Sequence, residues 1–238
     1  MAGSQCCENP PSLGSASGSG SDEVVGGLKA YVAGPADSKA AVLLVSDVFG
    51  CEAPNLRKLA DRVAAAGFYT VVPDFFHGDP FRPEKHLDFQ GWRKLHAPDK
   101  ASVEAKTVVA AIKSKGISSI GTVGICWGAK VIVELAKTYE IQAAVMFHPS
   151  SVTLEDIKEV KCHMSILGAE IDQVTPPELV KQFEEALSAK SEIDSFVKIF
   201  PAVAHGWTVR YDIDDETAVQ KAEEAHGDML DWFTKHLK

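Results

Sequence analysis

The sequence predicts a single α/β domain in which a mostly parallel central sheet carries helices on both faces. Three observations lead to this fold class. The chain has 238 residues, 45% of them hydrophobic, which is enough for one large domain with a sizeable core. Segments typical of strands and helices alternate along most of the chain, as they do when crossover helices connect parallel strands. The nearly continuous apolar run 40–46 is typical of a strand covered on both faces.

The predicted elements follow from short apolar runs for strands and from apolar residues at helical spacing for helices. The predicted strands are 28–32, 40–46, 69–72, 120–125, 142–147, 162–167 and 196–200. The predicted helices are 56–66, 101–114, 129–139 and 217–237. A further helix is expected after Thr175, whose hydroxyl would cap it, with Pro176 in the first turn and Glu178 completing a capping box.

The first 22 residues differ in composition from the rest because they are rich in serine, glycine and proline. Such a segment buries too little apolar area to offset its chain entropy. We therefore predict a disordered tail at 1–22 and a single domain at 23–238. The pair Cys6-Cys7 lies in this tail, and both a redox or lipidation role and an incidental exposed pair are open for it.

Residues 74–98 form an irregular stretch that is rich in aromatic side chains and longer than an ordinary connection. We expect this stretch to be a lid or a pocket wall rather than a passive loop. Its aromatic residues are Phe75, Phe76, Phe81, Phe89 and Trp92.

Composition limits the partners of this chain. The 24 basic residues against 33 acidic ones give a net charge of −9, so nucleic acid is not an expected partner. No apolar run approaches the roughly 20 residues that span a bilayer, and we expect neither a secretory signal nor a membrane partner. Five cysteines without CxxC spacing fit a reducing, cytoplasmic location. No metal-ligand spacing is present, and a monomer and a weak homodimer both remain open.

The pentapeptide Gly-Ile-Cys-Trp-Gly at 124–128 matches the G-x-nucleophile-x-G elbow, with cysteine in place of serine. A predicted strand precedes it and a predicted helix follows it. In that context Cys126 is expected on a tight turn at the positive end of the helix, where a thiol ionises more easily. The alternative from the pentapeptide alone is a buried structural cysteine.

A nucleophile of this kind needs a base and a residue that orients the base. Asp172 follows the predicted strand 162–167, and His205 follows the predicted strand 196–200. The order nucleophile, acid, histidine is that of α/β-hydrolases, and it favours His205 over the rival base His148. Taken singly, Asp172 could be a loop carboxylate near a helix start and His205 a structural histidine.

Together these motifs resemble those of the dienelactone hydrolase family, also called carboxymethylenebutenolidases. The matching segments are 124–128, the loop from Gly168 through Asp172 to Pro176, 205–207, and the Ser-Asp-Val-Phe-Gly run at 46–50. The resemblance covers about residues 26 to 238. The Cys-Cys-Glu-Asn-Pro-Pro run at 6–11 is similar to that of the plant cytosolic branch.

The resemblance implies a single α/β-hydrolase domain that hydrolyses small esters or lactones of the dienelactone type without a cofactor. It assigns Cys126 as nucleophile, His205 as base and Asp172 as the residue that orients it. It implies Asp47 as a thiol-activating acid, although family members usually carry the longer glutamate there. The remaining residues implied or expected at the site are Val48 and Trp127 as backbone oxyanion donors and Arg210, Arg82, Phe76 and Trp207 as substrate contacts.

Three alternatives stay open from the sequence. A β-glucanase-type glycoside hydrolase would need two carboxylates, for which Asp47 and Asp172 are candidates. A non-catalytic ligand-binding protein would use the aromatic stretch as an apolar pocket. Redox sensing by Cys126 would need a resolving cysteine, and Cys51 is the candidate that could approach it in space.

Overall fold

The computed structural model describes residues 4–11 and 18–238. Within them, eight strands form one sheet in the order β1-β2-β4-β3-β5-β6-β7-β8. The strands are β1 (Ser21–Val25), β2 (Leu28–Ala33), β3 (Ala40–Val45), β4 (Tyr69–Pro73), β5 (Ser119–Ile125), β6 (Ala143–Phe147), β7 (His163–Ile171) and β8 (Ser195–Ala204). β1 and β2 pair antiparallel at one edge, and β2 also pairs antiparallel with β4. The pairings from β4 to β8 are parallel, so the predicted α/β class with a mostly parallel sheet is confirmed.

Helices cover both faces of this sheet. They are α1 (Pro54–Ala65), α2 (Phe89–Leu95), α3 (Pro98–Ser114), α4 (Trp127–Ala136), α5 (Leu154–Lys158), α6 (Pro177–Ser188) and α7 (Glu216–Leu237). Alternate residues of β3 belong to two separate hydrophobic layers, because successive strand side chains point to opposite faces. One layer contains buried residues of α3, α4 and α6, and the other contains those of α1 and α7.

The structure differs from the predicted elements at short segments. β1, α2 and α5 were not predicted, because each spans only five to seven residues and carries little periodicity. The capping box expected at Thr175 was wrong. Pro176 is the residue that precedes α6, and the hydroxyl of Thr175 instead donates to the carbonyl of Pro149 at 2.7 Å.

The amino-terminal segment also differs from the expected disordered tail. Ser4–Cys7 forms a short 3-10 turn, and Cys6 is buried with 2% of its surface exposed. β1 begins at Ser21, inside the segment expected to be disordered. The rest of the predicted tail, 1–3 and 12–17, lies outside the described residues.

The carboxyl ends of the parallel strands position the candidate functional residues. β5 ends directly before Cys126, β6 before His148, β7 before Asp172 and β8 before His205. Asp47 lies two residues beyond the end of β3. Because parallel strands end at the same edge of a sheet, these side chains gather on one rim, where open α/β sheets bind ligands. No helix among the described residues is long and apolar enough to cross a membrane.

Candidate active site

The backbone at Cys126 is strained, as expected of a nucleophile elbow. Its φ of 52° and ψ of −110° lie in a region that residues other than glycine rarely adopt. Gly124 and Gly128 allow this turn because a side chain would not fit at either position. A Cβ on Gly124 would lie 2.6 Å from the Cα of Ala129, and one on Gly128 would lie 2.4 Å from the carbonyl oxygen of Val45.

A buried carboxylate–imidazole pair lies next to the elbow. Nδ1 of His205 is 2.8 Å from Oδ2 of Asp172, and both side chains are almost fully buried. The other oxygen of Asp172 accepts hydrogen bonds from the backbone N–H groups of Val174 and Thr175, so the carboxylate is fixed. Burial by itself lowers the pKa of His205, but the hydrogen bond to Asp172, with help from Cys6, raises it overall.

The imidazole also lies close to the nucleophile candidate. A ring nitrogen of His205 and the Sγ atoms of Cys126 and Cys6 all lie within 4.8 Å of one another. Nε2 of His205 has no hydrogen-bond partner among the described residues. The structure therefore brings Cys126, His205 and Asp172 together in the spatial order that the sequence motifs suggested.

His148, the rival base, lies at the same site and has no carboxylate partner among the described residues. Its ring contacts that of His205 edge to face with a centroid separation of 4.8 Å, and its Nε2 is 2.8 Å from the hydroxyl of Thr208. Complete burial lowers the pKa of His148 well below its ordinary value. We conclude that His148 packs against the imidazole of His205 as a neutral side chain.

Cys6 is the residue at this site that sequence reasoning missed. Its Sγ lies 3.6 Å from the hydroxyl of Ser150 and beside both Cys126 and His205. It therefore lies against both the candidate nucleophile and the candidate base. The only signal in the sequence was a cysteine pair inside an otherwise polar tail, which says nothing about where that tail docks. Cys6, Cys126 and His205 also form a ligand set that a thiophilic metal ion could use.

The pKa values of the two thiols shift in opposite directions. The Cys126 thiol, acting as a hydrogen-bond donor, lowers the pKa of Cys6 to about 4, although burial acts in the opposite direction. Burial raises the pKa of Cys126 well above its ordinary value, and the negative charge of Cys6 adds to this. Easier ionisation of Cys126 was expected from its position at a helix start. The structure differs because Cys126 is fully buried and lies beside Cys6, and both features raise its pKa.

Asp47 has partners other than the thiol that it was expected to activate. Its Oδ2 accepts from Nε of Arg210 at 2.7 Å, and its Oδ1 accepts from the backbone N–H of Phe49 at 2.9 Å. Both members of the ion pair are buried, with 2% of the Arg210 side chain and 4% of the Asp47 side chain exposed. Asp47 influences Cys126 through its charge, and this disfavours the thiolate.

Arg210, expected to bind a substrate carboxylate, instead holds the amino-terminal segment in this structure. Its Nη1 donates to the carbonyl oxygens of Gln5 at 3.1 Å and Glu8 at 3.4 Å. Its buried Nη2 has no hydrogen-bond partner among the described residues. The guanidinium therefore keeps one donor group available at the site.

The backbone positions expected to form the oxyanion hole lie after the carboxyl ends of two adjacent strands, β3 and β5. Trp127 is the first residue of α4, directly after Cys126, and Val48 follows Asp47 on the neighbouring loop. The carbonyl of Val48 accepts from the N–H of Phe81 at 2.8 Å, which ties its loop to the aromatic stretch.

The aromatic stretch packs as a small core of its own. Phe76 is buried, and its ring centroid lies 5.1 Å from that of Trp92 and 4.6 Å from that of Trp127. Phe76 therefore supports the elbow residue Trp127, and both side chains line a cavity of about 290 Å³ whose lining includes neither Cys126 nor His205. Arg82 donates to the backbone carbonyls of Phe49 and Phe81, so it braces loops where substrate contact was expected.

A cavity of about 260 Å³ lies beside His205. Trp207 and Arg210 also line it, as does Asn9 of the amino-terminal segment. The ring of Trp207 also contacts that of His148, with a centroid separation of 5.2 Å. Of the expected substrate contacts, Trp207 and Arg210 are thus the two that border this space.

This geometry agrees with what comparisons with known proteins show. The family model described as the dienelactone hydrolase family matches residues 28–237, from β2 through α7. The chain belongs to the dienelactone hydrolase family. This member is therefore a hydrolase.

Relatives of this dienelactone hydrolase family protein carry different names. A maize protein named endo-1,3;1,4-beta-D-glucanase is 46% identical over 196 residues, covering 80% of this chain and 64% of the maize protein. The chain thus spans less than two thirds of that relative. A carboxymethylenebutenolidase homolog of Xenopus tropicalis is 35% identical over 216 residues, 88% of each chain. The solved dienelactone hydrolase of Anabaena variabilis superposes with a TM-score of 0.67 at 17% identity, covering 92% of this chain and 97% of that one, which shows the shared fold.

Proposed function

We propose that this protein is a carboxylic ester hydrolase for small esters or lactones of the enol-lactone type. Cys126 is the nucleophile, His205 the base and Asp172 the residue that orients the base. The observation that carries the proposal is the position of one imidazole, hydrogen-bonded to a fixed carboxylate on one side and adjacent to a strained elbow cysteine on the other.

The reaction would proceed in two steps. With Cys6 displaced, His205 takes the proton of Cys126, and the thiolate attacks the ester carbonyl carbon. The N–H groups of Val48 and Trp127 stabilise the oxyanion, and loss of one such donor costs about 2.7–4 kcal/mol in other enzymes. His205 then protonates the departing alkoxide or enolate, which leaves a thioacyl enzyme. Water activated by His205 hydrolyses this thioester and regenerates the thiol.

A Cys126→Ala variant tests the proposal against p-nitrophenyl acetate and a small enol lactone. Turnover is expected to fall to background, because no other described sulfur or hydroxyl combines elbow geometry with contact to His205. Steady-state release of p-nitrophenol, or of the opened lactone, is the measurement.

Cys162→Ala is the matched control. Cys162 is also buried, but it lies directly before β7, at the amino ends of the parallel strands and away from the candidate site. The Cys162→Ala variant should keep the activity of the unmodified protein. Full turnover by Cys126→Ala would remove the nucleophile assignment.

Glycoside hydrolysis is a second candidate because the maize relative bears the name of a glucanase. That chemistry needs two carboxylates about 5–9.5 Å apart that are available to a sugar. Here Asp172 is engaged by His205 and two backbone N–H groups, and Asp47 is engaged by Arg210. Release of sugar from a mixed-linkage glucan that survives Cys126→Ala would favour this candidate over the esterase.

A further inference from the structure

The amino-terminal segment is fastened to the loops that carry the catalytic candidates. The side chain of Gln5 donates to the carbonyl of Ile171 and accepts from the N–H of Gln173, so it brackets Asp172 on both sides. Arg210 donates to the backbone carbonyls of Gln5 and Glu8. These four hydrogen bonds fix the turn that carries Cys6, and they aim its side chain at Cys126.

We propose that Cys6 is a redox-active cysteine that forms an intramolecular disulfide with Cys126 and so closes the active site under oxidising conditions. The proposal rests on the proposed function, because Cys126 is the nucleophile that the disulfide would block. A disulfide has an S–S length of about 2.05 Å, so a shift of less than roughly 3 Å joins two sulfur atoms that already lie within 4.8 Å.

Hydrogen peroxide is a sufficient oxidant for this step. The thiolate of Cys6 attacks the O–O bond, forms a sulfenic acid and releases hydroxide. The sulfur of Cys126, deprotonated by His205, then attacks the sulfenyl sulfur of Cys6 and displaces a second hydroxide. With the protons that the two thiols give up, the sum is two thiols plus one peroxide giving one disulfide and two waters.

The geometry of the site favours this order of events. Cys6 keeps 2% of its surface exposed while Cys126 keeps none, so peroxide reaches Cys6 first. The hydrogen bond from the Cys126 thiol also lowers the pKa of Cys6, and thiolates are the form that peroxide oxidises. His205 lies beside both sulfurs and can accept the proton that Cys126 must lose. Ser150 adds a hydroxyl 3.6 Å from the Cys6 sulfur.

The sequence suggested Cys51 as the candidate partner of Cys126, but the structure favours Cys6. Burial raises the pKa of Cys51 to about 12, so it is a poor source of thiolate at neutral pH. Burial also raises the pKa of Cys7, although it is the next residue in the chain. Position and charge therefore single out Cys6.

The test uses the full-length reduced protein, exposed to increasing peroxide in the presence of EDTA so that no metal at the three ligands contributes. Free thiols are then blocked with iodoacetamide, and the protein is digested without reductant. We expect mass spectrometry to find a peptide that joins Cys6 to Cys126. Ester hydrolysis should fall by more than about nine-tenths and return after dithiothreitol.

Two variants make the test specific. Cys6→Ser should form no disulfide at Cys126. Peroxide should inactivate this variant, and dithiothreitol should restore less of its activity, because a sulfenic acid without a partner thiol is oxidised further. Cys7→Ser should behave as the unmodified protein. The inference is overturned if Cys126 is linked to another cysteine, if no linked peptide forms while activity is lost, or if Cys6→Ser shows the same reversible loss.

Failure of the proposed function gives a different result. A reduced protein without ester hydrolysis that still forms the Cys6–Cys126 peptide would reject the esterase and keep the disulfide. An active reduced enzyme without that peptide would keep the esterase and reject the disulfide.

Discussion

At the scale of single residues, the Asp172–His205 pair decides what the imidazole can do. The carboxylate accepts from Nδ1 of His205 and is held in place by two backbone N–H groups. This arrangement presents Nε2 to the sulfur atoms, and it raises the pKa of the ring against the effect of burial. A histidine without such a carboxylate, His148, has a lowered pKa at the same site.

Asp172→Asn is expected to lower kcat for ester hydrolysis on the order of 10²-fold, since the amide no longer stabilises the imidazolium or fixes the ring tautomer. Loss of the carboxylate also lowers the pKa of His205, so the neutral base persists to lower pH. The acidic limb of the residual kcat–pH profile should therefore shift to lower pH.

Asp231→Asn, at an exposed position of α7, serves as the control for the profile of Asp172→Asn. Asp231→Asn should keep both kcat and the acidic limb of the unmodified protein. An unshifted limb in Asp172→Asn would show that this carboxylate does not set the ionisation of the base.

At the scale of elements, the turn from β5 into α4 depends on close backbone contact. Gly128 lies in the first turn of α4 and faces the carbonyl oxygens of Val45 and Ser46, at the end of β3. Val45 is the last residue of a central strand that pairs with β4 and β5, so these oxygens cannot shift easily. The elbow is therefore held in place by the sheet as well as by its own glycines.

Gly128→Ala is expected to destabilise the protein by about 1–3 kcal/mol or more, because the new Cβ would lie 2.4 Å from a backbone oxygen. Gly227→Ala in α7 is the matched control, since its Cβ meets no atom within 4 Å. There alanine should stabilise the helix by up to about 1 kcal/mol. Urea unfolding followed by circular dichroism measures both, and equal stability of the two variants would contradict the close contact.

At the scale of the whole molecule, the sequence predicts the position of a site residue when that residue directly follows a strand of the parallel sheet. Cys126, Asp172 and His205 each come directly after a parallel strand, so their meeting at one rim could be predicted from chain order. Cys6 could not be predicted, because its position depends on Gln5 and Arg210 docking a polar segment from far away in the sequence.

Partners that are distant in the chain also explain the other differences between the predicted and the observed site. Asp47 and Arg210 were each expected to contact something else, a thiol and a substrate, and the structure pairs them with each other across 163 positions of the chain. A sequence pattern does not show such a long-range partner. The capping role of Thr175 was wrong for the same reason, since a distant carbonyl, that of Pro149, takes its hydroxyl.

The most direct test of the central claim is to find where the acyl group goes. The reduced enzyme is mixed with p-nitrophenyl acetate, quenched in acid within the first turnover, digested and examined by mass spectrometry. A thioacetyl group on the peptide that contains Cys126, and its loss in Cys126→Ala, is the result that the account predicts. An acetyl group on another residue of the reduced, active enzyme would contradict the account. So would the absence of any acetyl group if Cys126→Ala still hydrolyses the ester.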